Sequence, residues 1–237
     1  MKTLLGILRF LAGILVSFLL AGVAIITLPI DRRRGRFFHA LAVLWAKTVL
    51  RICGIRLTVR GTENLRRGQT YVYVANHASL LDIPCTLAGV PDRIRIVYKK
   101  ELEAIPLFGW QLKWGNYIPI ERASRSGAMR SLEEAARKIR EGASVLLYAE
   151  GTRTTDGKLR AFKRGAFNLA LRSGVPVIPL TINGTFHIIG RGSMVIHPAR
   201  AELILGEPIP VSGSGKEAEL ELMAEVDAAI RKFYVDQ

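Results

Sequence analysis

The chain has 237 residues, enough for one well-cored domain or a domain with an appendage. Almost half of them, 49%, are apolar, and the mean hydropathy of +0.23 argues against a purely water-exposed globule. A formal charge of +14, from 34 basic and 20 acidic residues, points to a polyanionic partner such as nucleic acid, anionic lipid or a phosphorylated substrate. Cys53 and Cys85 make neither a metal nor a disulfide pattern, as expected of a reducing compartment.

Leu4 to Ile30 is apolar apart from Arg9, Thr27 and a few small residues. As a helix, Phe10 to Ile30 alone is long enough to cross a bilayer core of ~30 Å. The small residues AGVA (21–24) resemble a leader cleavage site, but the apolar run continues past them and the basic cluster DRRRGR (31–36) lies on the wrong side for export. By the positive-inside rule Arg32, Arg33, Arg34 and Arg36 stay cytoplasmic, and so does the remainder of the chain beyond them. Phe37, Leu41, Leu44, Trp45 and Ile52 form an apolar stripe, with Arg36, His39, Lys47 and Arg51 mostly opposite. This amphipathic spacing suits a helix in the headgroup plane of an anionic membrane, or one packed on the domain; membrane contact is the favoured expectation. Residues 1–52 are therefore read as membrane-anchoring helices and 53–237 as the catalytic domain. The first run either spans the bilayer or forms a hairpin dipped into one leaflet, which Arg9 favours.

From Gly54 onward strands and helices alternate. Strands are predicted at IRLTVRG (55–61), TYVYVAN (70–76), RIRIVYK (93–99), NYIPIER (116–122), SVLLYAEG (144–151), VPVIPLTING (175–184), MVIHP (194–198) and AELILGEPI (201–209). Helices are predicted after HASLLD, over 105–115, over Ser126 to Glu141, over Phe162 to Arg172 and over Glu217 to Tyr234. The order argues for an α/β fold with a mostly parallel, buried sheet flanked by helices. Chemistry in such sheets gathers at the carboxyl ends of strands. His77, Glu121, Arg122, Glu150 and Arg153 all fall just past predicted strand ends.

His77 and Asp82 are five residues apart, a turn of about 140° on a regular helix, so they cannot share a helical face. They meet only if His77 sits in a loop and Asp82 in the first turns of the next helix, reaching back. Ser79-x-x-Asp82 also matches a capping box, which alone would account for the carboxylate. A carboxylate on one imidazole nitrogen leaves the other free as a base near neutrality. No Gly-x-Ser-x-Gly elbow or zinc-type histidine pair is present, so the base would act on a substrate hydroxyl. In YAEGTRT (148–154), Gly151 and Thr152 let backbone approach a ligand and Arg153 can fork onto a phosphate. Lys99 and Lys100 are basic at another strand end. Nucleic-acid signatures are absent, and SGSGKE (212–217) is not a P-loop.

Taken in order, NHASLLD, YIPIER, YAEGTR and VPVIPLTI resemble the four blocks of the 1-acylglycerol-3-phosphate acyltransferases, over about Tyr71 to Gly184. Tyr148 and Ala149 replace the usual Phe-Pro of the third block, and Glu121 a frequent Asp of the second. The resemblance implies that His77 takes the proton from the sn-2 hydroxyl of lysophosphatidic acid, with Asp82 orienting it. The acyl donor would be acyl-CoA or acyl carrier protein, with no metal or bound cofactor. Arg122, Arg153 and Lys100 would hold the phosphate, and Glu150, Gly151 and Thr152 would build the third loop of the substrate site. It further implies an enzyme at the cytoplasmic face of the membrane, in contact with membrane lipids and not nucleic acid. Two alternatives stay open: another acceptor, such as glycerol-3-phosphate or a lyso-ornithine lipid, and a non-catalytic module for anionic lipid.

Overall fold

The computed structural model of the chain describes residues 1–27, 35–115, 117–121, 125–190 and 192–236. Seven strands form one sheet in the order β1-β7-β6-β2-β5-β3-β4. They are β1 (Arg56–Arg60), β2 (Val72–Ala75), β3 (Ile94–Lys99), β4 (Ile118–Ile120), β5 (Ser144–Tyr148), β6 (Val177–Asn183) and β7 (Arg200–Leu205). Every pairing is parallel except β6 with β7. The central strands are apolar on both faces because helices cover both, as parallel sheets require.

Alternation along each strand assigns the faces. Tyr71, Tyr73, Ala75, Ile94, Ile96, Leu146, Ile178 and Leu180 pack into one core cluster. Val72, Val74, Val145, Leu147 and Val177 pack into the other. On the second face lie α5 (Arg125–Arg140), α6 (Gly165–Ser173) and α7 (Gly215–Arg231), through Ala136, Ile139, Phe167, Val226 and Ile230 among others. On the first lie α2 (Arg36–Cys53), α3 (Asp82–Gly89) and α4 (Phe108–Trp114). The predicted strand MVIHP does not form. Among the described residues its backbone is engaged singly, Val195 N–H donating to Ser193 Oγ (3.0 Å), Ile196 N–H to the Gly6 carbonyl (3.2 Å) and His197 N–H to that of Ile188 (2.8 Å).

The amino-terminal helices share this core. In α2 the buried strip is Phe38, Ala46, Val49, Leu50 and Cys53, rotated from the predicted one. Of the predicted stripe, Leu41 and Trp45 are partly buried while Phe37 and Leu44 stay exposed. The helix thus has two apolar sides, one packed on the domain and one outward. Against it lies α1 (Lys2–Thr27), among the described residues the one helix long and apolar enough to cross a membrane. It is tied to the domain along its length. Gly6 sits so close to residues 195–196 that a Cβ would lie 2.6 Å from Val195. Midway, Trp45 Nε1 donates to Ser17 Oγ (2.9 Å), and near the far end Ala24 joins the main core. Its other side exposes Leu4, Leu5, Leu8, Leu11, Leu15, Phe18, Leu19 and Ile26. Arg32, Arg33 and Arg34 lie outside the described residues.

Candidate active site

Adjacent parallel strands deliver their carboxyl ends to one place. Ala75 pairs with Tyr148 of β5 on one side and Leu180 of β6 on the other, so the loops after β2, β5 and β6 converge. The first loop is anchored by Asn76. Its amide imitates a strand neighbour, accepting from Ile182 N–H (2.7 Å) and donating to the Ile182 carbonyl (2.9 Å). The next residue, His77, has both backbone groups held by the β5 loop. Its N–H donates to Glu150 Oε1 (2.6 Å) and its carbonyl accepts from Thr154 N–H (2.9 Å).

The histidine and the aspartate meet as the spacing requires, His77 in the loop and Asp82 opening α3. His77 Nδ1 lies 2.7 Å from Asp82 Oδ2. The same oxygen accepts from Ala78 N–H (2.7 Å) and Ser79 N–H (2.8 Å), and Thr185 Oγ1 donates to Oδ1 (2.6 Å). Asp82 is completely buried, so all its partners are protein donors. A carboxylate accepting from Nδ1 places the ring proton there and leaves the Nε2 lone pair free. Nε2 has no hydrogen-bond partner among the described residues, and the side chain keeps 16% exposure. One face of the imidazole stacks on Tyr148, centroids 4.0 Å apart and planes inclined by 17°.

Only half of the expected capping box forms. The Asp82 carboxylate reaches back to Ser79 N–H, but Ser79 Oγ accepts from Leu81 N–H (3.3 Å) and the helix begins later, at Asp82. Local capping and orientation of His77 use the same oxygen.

Glu150 is 3% exposed and spends both oxygens on backbone, Oε1 on His77 and Oε2 on Arg160 N–H (3.1 Å). Its geometry is that of a positioning residue tying the two loops together. Burial raises its pKa against the opposing pull of those N–H groups. Gly151 adopts a left-handed φ of 70°, and a Cβ there would lie 2.9 Å from Lys163 Cδ and 3.1 Å from its Nζ. Glycine thus admits Lys163, which the sequence reading missed, to the rim of the loop. Neither Lys163 nor Arg153 has a side-chain hydrogen bond or ion pair among the described residues, while Thr152 is exposed. Lys100 is drawn to Glu121 instead (3.3 Å). Arg122 lies outside the described residues. Asn76 and Thr185 were also missed; their only sequence signal is a polar residue just past a strand.

Ile83 and Leu87 of α3 line a cavity of about 110 Å³ with Leu20, Trp45 and Phe108, bounded by α1, α2 and α4. Its polar lining includes Ser17 and Gln111. Hydrocarbon, not water, suits such walls.

Comparison with known proteins places this arrangement. The Acyltransferase family profile matches residues 56–183, which include His77, Asp82, Glu150 and Lys163 but not Thr185. A 1-acyl-sn-glycerol-3-phosphate acyltransferase from Brassica napus, chloroplastic BAT2, is 34% identical over 200 residues, covering 84% of this chain and 57% of that one. The chain therefore spans little more than half the length of that plant relative. A Pseudomonas aeruginosa protein of the same description is 31% identical over 186 residues, 78% of this chain and 70% of that one. The crystal structure of the 1-acyl-sn-glycerophosphate (LPA) acyltransferase PlsC from Thermotoga maritima matches with a TM-score of 0.83 at 29% identity, covering 98% of this chain and 94% of that chain. On the profile match and the extent of these similarities, the chain belongs to the Acyltransferase family.

Proposed function

We propose that the protein transfers a fatty acyl group from a thioester, acyl-CoA or acyl-carrier protein, to the sn-2 hydroxyl of 1-acyl-glycerol-3-phosphate, giving phosphatidic acid. The observation that carries this is the His77–Asp82 pair at 2.7 Å, held by the loop after β5, which also carries two cations, Arg153 and Lys163, that are unpaired among the described residues. Nε2 takes the hydroxyl proton as the oxygen attacks the thioester carbonyl carbon. The tetrahedral intermediate collapses, the C–S bond breaks, and the thiolate takes the proton back from the imidazolium. No acyl-enzyme is formed, and neither metal nor resident cofactor enters these steps. Arg153 and Lys163, with Arg122 from the second loop, hold the acceptor phosphate. A hydrocarbon chain lies in the apolar cavity beside α3. Holding both reactants together is worth ~7–11 kcal/mol of the barrier.

The exposed apolar face of α1 lies in the cytoplasmic leaflet with the helix parallel to the membrane plane. Ties to the domain near both helix ends favour this one-leaflet placement over a span. The anchor is hydrophobic: at ~25 cal/mol per Å² even part of this face outweighs surface charges worth ~1 kcal/mol each. Detergent should release the protein where high salt does not.

An acyl-transfer assay with a panel of lyso-acceptors and both thioester donors tests the function. Purified His77→Ala should be inactive while remaining folded and membrane-bound. Turnover above a few per cent of wild type in that variant would remove the base from the mechanism. Preference for glycerol-3-phosphate or a lyso-ornithine lipid would change the acceptor, and no transfer to any acceptor would leave a binding module.

A further inference from the structure

At the amino ends of the strands, opposite the catalytic edge, a groove of about 1510 Å³ runs between α2, the 65–70 loop, the start of β3 and the end of α5. Three of its cations are spoken for: Arg95 is buried, Arg137 pairs with Glu141 (2.6 Å) and Lys138 with Glu134 (3.5 Å). Five others, Arg36, Lys47, Arg66, Arg67 and Arg93, are exposed and have no side-chain hydrogen bond or ion pair among the described residues. Asp92, in the same lining, accepts from Tyr73 Oη (2.9 Å) and from Arg93 N–H (2.6 Å). A concave wall with so large an excess of one sign of charge, Asp92 and Glu141 being its acids, concentrates its potential. His39 lies on the same wall. Burial first, then the charges of Arg95 and Arg93, hold its pKa near 4 against the pull of Asp92.

The position of the groove identifies its occupant. Going round α2 at 100° per residue, Trp45 and Leu41 face the apolar cavity and α1. Phe37 and Leu44 come next and are exposed, and then Arg36, Val43 and Lys47 at the groove. The cationic rim therefore borders an outward apolar strip of α2, the helix that packs against α1. With that strip in the leaflet, the rim stands at headgroup depth. A free nucleotide or an acidic protein would not need this adjacency.

We propose that this groove is a second lipid site, remote from His77, which takes the phosphate headgroups of anionic phospholipids and sets how the domain sits on the bilayer. It rests on the membrane placement given above and adds an anionic preference to it.

The test offers full-length protein a mixture of two vesicle populations, one of phosphatidylcholine and one containing one-third phosphatidylglycerol, separated afterwards by density. Apolar anchoring is common to both populations, so the ratio between them reads the groove. Each neutralised cation is worth about fivefold near an anionic surface. Arg66→Gln/Arg67→Gln/Arg93→Gln should thus lose on the order of 100-fold of the anionic preference, up to the whole of it, while still floating. Arg137→Gln/Lys138→Gln, whose charges are already paired, should lose far less. Turnover on detergent-dispersed substrate should be unchanged in the triple variant. A wild-type protein that divides equally, or a triple variant with an intact preference, overturns the groove as a lipid site. An intact preference with a raised KM for the thioester donor overturns it too and gives the groove to the donor's phosphates. Wild type that floats with neither population overturns the membrane placement itself, and active His77 chemistry on dispersed substrate would survive that result.

Discussion

Replacing Asp82 by asparagine separates the two roles that share its carboxylate. The amide is isosteric, and one orientation keeps every contact. Its oxygen occupies the Oδ2 position, accepting from His77 Nδ1, Ala78 N–H and Ser79 N–H, while its NH2 faces Thr185 Oγ1, which rotates to accept. Three charge-assisted bonds become neutral ones, at about 1 kcal/mol each. Relief from burying a full charge at zero exposure offsets part of that. The net loss of stability should stay below about 2 kcal/mol. Catalysis loses more. When Nε2 takes the proton, the imidazolium 2.7 Å away no longer meets an anion. At an effective dielectric near 20 the missing attraction is about 3–5 kcal/mol, two to four decades in kcat. The measurement is kcat beside a denaturant-unfolding curve on the same preparation. A kcat within tenfold of wild type, in a folded protein, would refute orientation and charge stabilisation by Asp82. Activity lost only in step with the folded fraction would leave the carboxylate as a helix cap.

Tyr148→Phe should retain both stability and rate, since the ring stacked at 4.0 Å is what touches His77, whereas Tyr148→Ala should cost about 3–5 kcal/mol in stability and displace the kcat–pH profile. Arg153→Ala should lower kcat/KM for the lysophospholipid by roughly 10- to 150-fold, the worth of one charge-assisted contact, with the donor KM little changed; equal kcat/KM for the acceptor would take Arg153 out of the site. His39, held near pKa 4 against an ordinary 6.5, is neutral in the fold. Its contribution is full above pH 6.5 and is lost as the pH falls toward 4, about 2 kcal/mol after allowing for its partial exposure. Denaturant curves at both ends of that window should differ less in His39→Gln.

Much of the fold was legible because buried parallel strands read as short β-branched runs between glycines. VYVA, IRIVYK, SVLLY and VIPLTIN all form strands. MVIHP has the same look and forms none, because strand formation needs a neighbour, and its backbone partners among the described residues are single ones, Ser193, Gly6 and Ile188. The place of β7, between β1 and β6 and antiparallel to β6, has no local signal either. In α2 the predicted stripe and the buried one differ by a rotation, since the helix is apolar on two sides and only its neighbours choose between them. The site divides in the same way. His77 and Asp82 were readable from their spacing and their strand end. Thr185 and Asn76 were not, since their partners lie 103 and 106 residues away and are set by sheet order.

The partners of Asp82 also bear on why the pair does chemistry. A buried carboxylate is ordinarily matched by a permanent cation. Here the four donors are two backbone N–H groups, a hydroxyl and the His77 ring N–H. They make the charge tolerable and leave it uncompensated. On the proposed mechanism, the cation that would compensate it is the imidazolium formed as His77 takes the proton from the acceptor. On that mechanism the fold would hold an anion whose best partner is created along the reaction path, making the interaction stronger in the transition state than in the resting enzyme, the condition for raising kcat and not merely affinity. The backbone ties from Glu150 and Thr154 to His77 serve the same end. With both flanks of the base fixed, the ring need not reorganise as its charge appears.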